Sequence, residues 1–269
     1  MPVRRRRVLL YTVDTRMMNP FILALLLFVC LTAASLGSLF ASEKLPEKYR
    51  QSDTQAVVRL VANIFVVLTS LVLGLMISSS KDRFDTMSRD IHTLAIDIIV
   101  FDRLLSIYGP EADDTHKLLV DYVERAASGA WRAGGPALVY NRLSERLLDD
   151  IGNGLRSIAP PDGRRLAIWN DAREEYRTIF KLRWVLLEQS EGSIPPALVW
   201  ALSAWLVLIF ASFGYQASRN IIVVMSFPIA AVLVSGALFL ALDMDGPLNP
   251  GLITVSPAPL QRALAEIQR

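Results

Sequence analysis

Apolar positions in this chain do not recur at the spacing of a soluble core; they gather into four long blocks separated by charged stretches. The first runs from Asn19 to Ser42 and the second from Ala56 to Ser80, with a single charge, Arg59, near the start of the second. The third covers Pro196 to Tyr215 and the fourth Asn220 to Leu242. A helix needs about 20 mostly apolar residues to cross the hydrocarbon layer, and each block meets that length. Only Gln216 to Arg219 separates the last two blocks. So short a link predicts a tight turn and an antiparallel hairpin across the bilayer.

Between the second and third blocks the pattern changes. From Lys81 to Ser193, apolar residues recur three and four apart among Leu, Ala, Arg, Glu and Asp, with almost no strand-like alternation. Four helical pieces are expected. The first continues the second span through Asp82, Arg83 and Phe84 to Tyr108, stopped by Gly109 and Pro110. The next runs from Glu111 to Arg132 and ends at Ala133, Gly134, Gly135 and Pro136. A third covers Ala137 to Ile158, weakened by Gly152 and Gly154, and a fourth begins after Pro160 and Pro161 and reaches Gln189. Gly192, Pro195 and Pro196 then turn the chain back into the membrane, and Pro259 to Gln268 forms a last helix amphipathic enough to dock.

The fold class expected is an all-α membrane protein, its four transmembrane helices arranged two and two around a cytoplasmic helical domain. Its parts are a basic N-terminus at 1–18, a first transmembrane pair at 19–80, the helical domain at 81–193, a second pair at 194–242 and a C-terminal segment at 243–269. Charge sets the orientation. Arg4, Arg5, Arg6, Arg7 and Arg16 precede the first span, whereas the link after it carries only Lys44, Lys48 and Arg50. Positive residues are retained inside, so both termini and the 81–193 domain are expected in the cytoplasm, with Glu43 to Gln55 and Ser218 facing outward. A cleaved secretory signal is the rival reading of the first block, with cleavage near Ala33, Ala34 or Ala41. The block is long for a signal, and cleavage would leave the remaining topology unchanged.

Composition narrows the function classes. The chain carries 28 Lys and Arg against 26 Asp and Glu. In the helical domain the two signs are interleaved, which gives no basic face or aromatic platform for nucleic acid. His92 and His116 are the only histidines and share no metal-site spacing, and no Gly-rich phosphate loop is present. Nothing here predicts an enzyme. The lone Cys30 lies inside the first block and reads as a small core residue, with no disulfide partner in the chain. One arrangement could hold a divalent cation: Asp243 and Asp245, two carboxylates two residues apart where the fourth span ends. The competing reading is that they only cap a helix end, since a lone acidic pair supplies few ligands.

The second span carries the candidate chemistry. Steps of three and four residues place Arg59, Asn63, Val67, Ser70, Gly74 and Ser78 on roughly one face, with Leu71 and Leu75 beside Val67. Polar groups are costly against lipid, so a mixed face should meet protein or water. Around an oligomer axis, Arg59 and Asn63 would form the pore mouth and Val67, Leu71 and Leu75 a narrow apolar neck. Ser70, Gly74 and Ser78 would line the inner pore. Such a neck gates ions by dewetting. Alternatively, Ser70, Gly74 and Ser78 make a small-residue packing seam and Arg59 snorkels to the headgroups.

Leu71, Val72, Leu73, Gly74 and Leu75, followed by Lys81, Asp82, Arg83 and Phe84, resemble the second span of bestrophins. A closer resemblance is to the bacterial bestrophin-like family of unknown function. It is carried by Ile194, Pro195, Pro196, Ala197, Leu198, Val199 and Trp200, and by Leu242, Asp243, Met244, Asp245, Gly246 and Pro247 leading to Gly251, Leu252, Ile253, Val255, Ser256, Pro257, Pro259 and Leu260. The resemblance covers nearly the whole chain from about Ala56 onward. It implies a pentameric ion channel of the bacterial inner membrane, with the second helix lining the pore and Val67, Leu71 and Leu75 at its neck. The chain departs from true bestrophins in three ways: the neck is aliphatic rather than aromatic, Phe84 stands where tryptophan is usual, and the acidic calcium clasp is reduced to Asp243 and Asp245. The expected function is therefore an oligomeric, bestrophin-like channel passing inorganic ions through the lipid bilayer. The alternative is a non-conducting membrane scaffold or sensor whose cytoplasmic helices bind a partner.

Overall fold

The computed structural model describes residues 19–41, 52–129, 142–190, 192–218, 220–246, 248 and 251–269. Every regular element among them is helical. In order these are α1 (Pro20–Ala41), α2 (Ser52–Tyr108), a single 3-10 turn (Pro110–Ala112), α3 (Asp113–Gly129), α4 (Arg142–Ser157), α5 (Gly163–Ser190), α6 (Pro196–Gln216), α7 (Ile221–Asp245) and α8 (Ala258–Ile267). Four of them, α1, α2, α6 and α7, are long and apolar enough to cross a membrane. The basic N-terminal run, the link around Lys44 to Arg50, the Gly134, Gly135, Pro136 turn, Arg219 and Pro247 lie outside the described residues.

The second span does run on without a break to Tyr108. At 1.5 Å per residue its 57 residues amount to roughly 85 Å of helix, nearly three times the ~30 Å of a bilayer core. Gly109 ends it in the left-handed region at φ 114°, its N–H donating to the Leu105 carbonyl at 3.3 Å, and Pro110 cannot extend the ladder. The fourth span is longer than its apolar block, because α7 carries Asp243 and Asp245 inside its last turn.

Two compact units are present: 1–76 with 194–239, and 77–193 with 240–269. In the first, α1 packs along α6. Leu23, Leu27, Leu31 and Leu39 are buried from α1, and Val199, Leu202, Leu206, Ile209 and Phe210 from α6. Cys30 is not a core residue, contrary to the expectation from its apolar block. It is exposed, on the wall of an apolar groove of about 430 Å³ shared with Leu26, Trp200 and Leu208. A span helix buries only the stripe that meets another helix, and position 30 lies off that stripe.

The second unit has a conventional apolar core. Ile98, Phe101 and Leu105 of α2 meet Leu119, Tyr122 and Val123 of α3, Ile151 and Leu155 of α4, and Ile179 and Leu186 of α5. Each large side chain so buried contributes about 1.5–3 kcal/mol relative to leaving it in water. The glycines expected to weaken α4 do not interrupt it: Gly152 faces Tyr176 and Gly154 faces Thr115, so both sit where neighbouring side chains approach the helix. Asp162 caps α5 by accepting from the Arg165 N–H at 2.8 Å, and the Trp169 indole N–H donates to the Leu155 carbonyl at 2.9 Å. The final helix docks on α3, burying Leu260, Ala263 and Ile267.

One carboxylate in this unit is poorly served. Asp97 has a buried oxygen without a hydrogen-bond partner, and burial holds its pKa above the ordinary carboxylate value. Its contribution to folding is greatest where it is protonated and is lost as pH rises through the folded pKa. Asp97→Asn should therefore raise the melting temperature at about pH 7.5 by about one to two degrees, a modest gain because the group is partly solvated. Near pH 3, below the unfolded pKa, the variant and parent should melt together. An equal gain at both pH values would assign the effect to something other than ionisation.

Candidate functional site

Along α2, Ala62, Thr69 and Met76 are buried, and Phe65 meets Trp205 of α6 with ring centroids 6.5 Å apart. These residues fix which side of the helix turns inward. The candidate pore residues lie on the other side. Val67 is 67%, Leu71 60% and Leu75 63% exposed. Arg59, Asn63, Ser70, Gly74 and Ser78 are exposed as well. Within one chain the small-residue seam is not made, since a Cβ placed on Gly74 would meet nothing within 4 Å.

Exposure alone does not separate a pore face from a lipid face, because Leu60, Val61, Ile64 and Leu68 are also open. Polarity does. The arc with Val67 holds a guanidinium, an amide and two hydroxyls, groups that cost free energy in contact with hydrocarbon. Their local partners are few. Ser70 donates to the Val67 carbonyl at 3.1 Å, and the Arg59 Nε–H donates to Gln216 Oε1 at 3.1 Å, which holds the side chain in place. Gln216, at the end of α6, was not singled out by sequence, and no signal in the sequence pairs it with Arg59.

A model of the Bestrophin-like domain matches residues 29–260. The chain belongs to the bestrophin-like family. Three crystal structures of a bacterial bestrophin homologue from Klebsiella pneumoniae share its fold. One, a point variant, has a TM-score of 0.66 at 12% identity, covering 91% of this chain and 97% of that one. Another, phased with zinc, has a TM-score of 0.64 at 15% identity over 93% and 97%. A third, also a point variant, has a TM-score of 0.61 at 15% identity over 91% and 99%. No curated protein sequence matches the chain.

In this bestrophin-like chain the acidic pair at the end of α7 is turned toward protein donors. Asp243 Oδ2 accepts from the Ile253 N–H at 2.8 Å, with Gly251 packed against the same carboxylate. Asp245 accepts from Ser193 Oγ at 3.2 Å and lies 3.7 Å from Arg83 Nη1. Both aspartates are buried. A calcium ion takes roughly six to eight oxygen ligands, and a cluster of two carboxylates, one hydroxyl and a guanidinium does not fit it. Among the described residues no group of three or more His, Cys, Asp or Glu side chains is placed to hold a metal. The pair instead ties the residues after α7 and those before α6 to one helix end. Sequence singled out the carboxylates but missed Arg83 and Ser193, their partners from distant positions.

His116 Nε2 lies 2.8 Å from the Asp102 carboxylate, joining α3 to α2, and Arg103 pairs with Glu266 of α8 at 3.3 Å.

Proposed function

We propose that this bestrophin-like protein is an oligomeric, pentameric ion channel of the bacterial inner membrane, with α2 of each subunit around a central axis. The observation that carries the reading is the open face of α2. Three bulky aliphatic side chains, each at least 60% exposed, stand in line with exposed polar groups on a helix whose opposite side is already packed. Membership of the family and its shared fold support the same assignment. In this arrangement Arg59 and Asn63 form the mouth, Val67, Leu71 and Leu75 the dewetting neck, and Ser70, Gly74 and Ser78 the inner lining. Both termini and the 81–193 helices are on the cytoplasmic side.

The direct test is electron microscopy of the purified protein in nanodiscs. A pentamer with Val67, Leu71 and Leu75 around a water-filled path is expected. A monomer or dimer with those residues against lipid would end the reading and favour a membrane scaffold whose helical unit binds a partner.

Charge at the mouth gives a second expected result. A ring of guanidinium groups concentrates anions and repels cations. Arg59→Glu should shift the chloride-to-potassium permeability ratio toward potassium by several-fold in planar bilayers. An unchanged reversal potential would place Arg59 away from the conduction path.

A further inference from the structure

The second unit carries a cleft that the channel reading does not use. It lies between α4 and α5, encloses about 440 Å³, and is lined by Asp149, Gly152, Leu155, Tyr176 and Phe180 together with Arg156, Arg173, Arg177 and Lys181. Four cations face one carboxylate there. In a chain whose charges nearly cancel, 28 basic against 26 acidic, that is a local concentration of one sign.

We propose that this cleft binds a phosphorylated small molecule bearing a flat apolar group, the chemistry of a nucleoside di- or triphosphate. Arg173, Arg177 and Lys181 follow one another at four-residue steps on α5, so all three head groups rise from one stripe of the helix. All three arginines in the cleft are held by a neighbour. Arg173 stacks on the Trp169 ring at 4.4 Å, and Arg156 Nη2 donates to Asn153 Oδ1 at 3.1 Å. Arg177 reaches Glu174, outside the lining, at 3.2 Å. A guanidinium has five N–H donors in a fork that matches phosphate, and one such bond leaves the others for a ligand.

The floor is of a different character. Leu155 is buried, and the Tyr176 and Phe180 rings lie 6.2 Å apart at 40°. Tyr176 is fixed by donating its hydroxyl to the Leu148 carbonyl at 2.9 Å. It can lie there because position 152 is glycine: a Cβ would stand 2.5 Å from the hydroxyl oxygen. An apolar aromatic floor with convergent polar groups, in a volume of a few hundred Å³, is the usual build of a small-molecule site. Bare phosphate would use the rim and leave the floor empty, whereas a nucleotide would use both.

The test is isothermal titration of the full-length protein in neutral-lipid nanodiscs with ATP and, separately, with pyrophosphate. Binding of ATP is expected, with pyrophosphate weaker. Phe180→Ala should weaken ATP about fivefold and leave pyrophosphate unchanged. The exposed pair Arg177→Gln and Lys181→Gln should weaken both by tenfold or more, about 1.4 kcal/mol per factor of ten. No binding of ATP at about 1 mM, or binding that survives the double substitution in protein that remains monodisperse, would overturn the proposal. A second arm uses vesicles of phosphatidylglycerol. Charge-dependent vesicle binding without ATP binding would also overturn it and assign the cations to a membrane surface.

Discussion

Replacing Val67, Leu71 and Leu75 together with alanine should raise ion flux through reconstituted liposomes, on the order of tenfold or more, while the oligomer stays intact. A ring of bulky aliphatic side chains excludes water when the gap is narrow, and an ion then faces the cost of shedding its hydration. Alanine removes two or three carbons per position per subunit, so the column between the rings widens and wets. Ordinarily three such truncations would be a poor test, because losing a buried leucine costs about 2–5 kcal/mol and the protein unfolds. Here the three residues are 60–67% exposed within the chain, so truncation opens no cavity inside a subunit. Flux and assembly are measured on the same preparation, by the response of an ion-sensitive dye trapped in the liposomes and by native mass. Unchanged flux in an intact oligomer would sink the channel reading. Dissociation without flux would mean that the three side chains are packing contacts between subunits, as a scaffold requires.

Much of the helical layout was legible because it rests on local signals. Gly109 and Pro110 mark the end of α2, Pro160 and Pro161 the approach to α5, and apolar runs longer than a soluble helix mark the spans. On α2 the 3.6-residue period groups Arg59, Asn63, Val67 and Ser78 on one arc, and all four are exposed within the chain. What periodicity does not encode is which side of a nearly all-apolar helix meets a neighbour. Cys30 was misplaced on that account: the residues from Phe21 to Leu31 are all apolar, and only the fit of α1 against α6 decides that Leu27 and Leu31 face in. Long-range polar pairs were illegible too. Nothing in the residues around Asp245 names Arg83, more than 160 positions earlier, or Ser193 as its partners. The α4–α5 cleft escaped notice because its cations are spread over two helices and interleaved with acids along the sequence, so that only folding collects them.

Gly214→Ala should be among the most damaging single substitutions in the first unit, although it adds one methyl group to an apolar helix. Gly214 on α6 lies against the backbone of Ser35 on α1, and a Cβ there would overlap the Ser35 carbonyl group. Flexible side chains can swing aside from such a clash; a helix backbone cannot. Ser35 is fully buried and its hydroxyl donates back to the Leu31 carbonyl at 2.9 Å, so this part of α1 has no slack. Small residues at a crossing let two membrane helices pack closely, and the dispersion contacts so gained stand in for a hydrophobic drive that lipid does not supply. Forcing α1 and α6 apart loosens the whole stripe from Leu27 to Phe210. Overpacking of this kind costs about 1–3 kcal/mol and occasionally more, which for a domain of this size lowers the melting temperature by roughly 5–10 °C. Gly236→Ala on α7 is the control, because a Cβ there meets nothing within 4 Å and alanine is the better helix former. Its melting temperature, followed by size-exclusion chromatography after heating, should stay within about 2 °C of the parent. If Gly214→Ala melts with the control, the close approach of α1 and α6 is not what holds the pair together. If it drops while the control holds, the crossing at Ser35 fixes how the first span seats on the third.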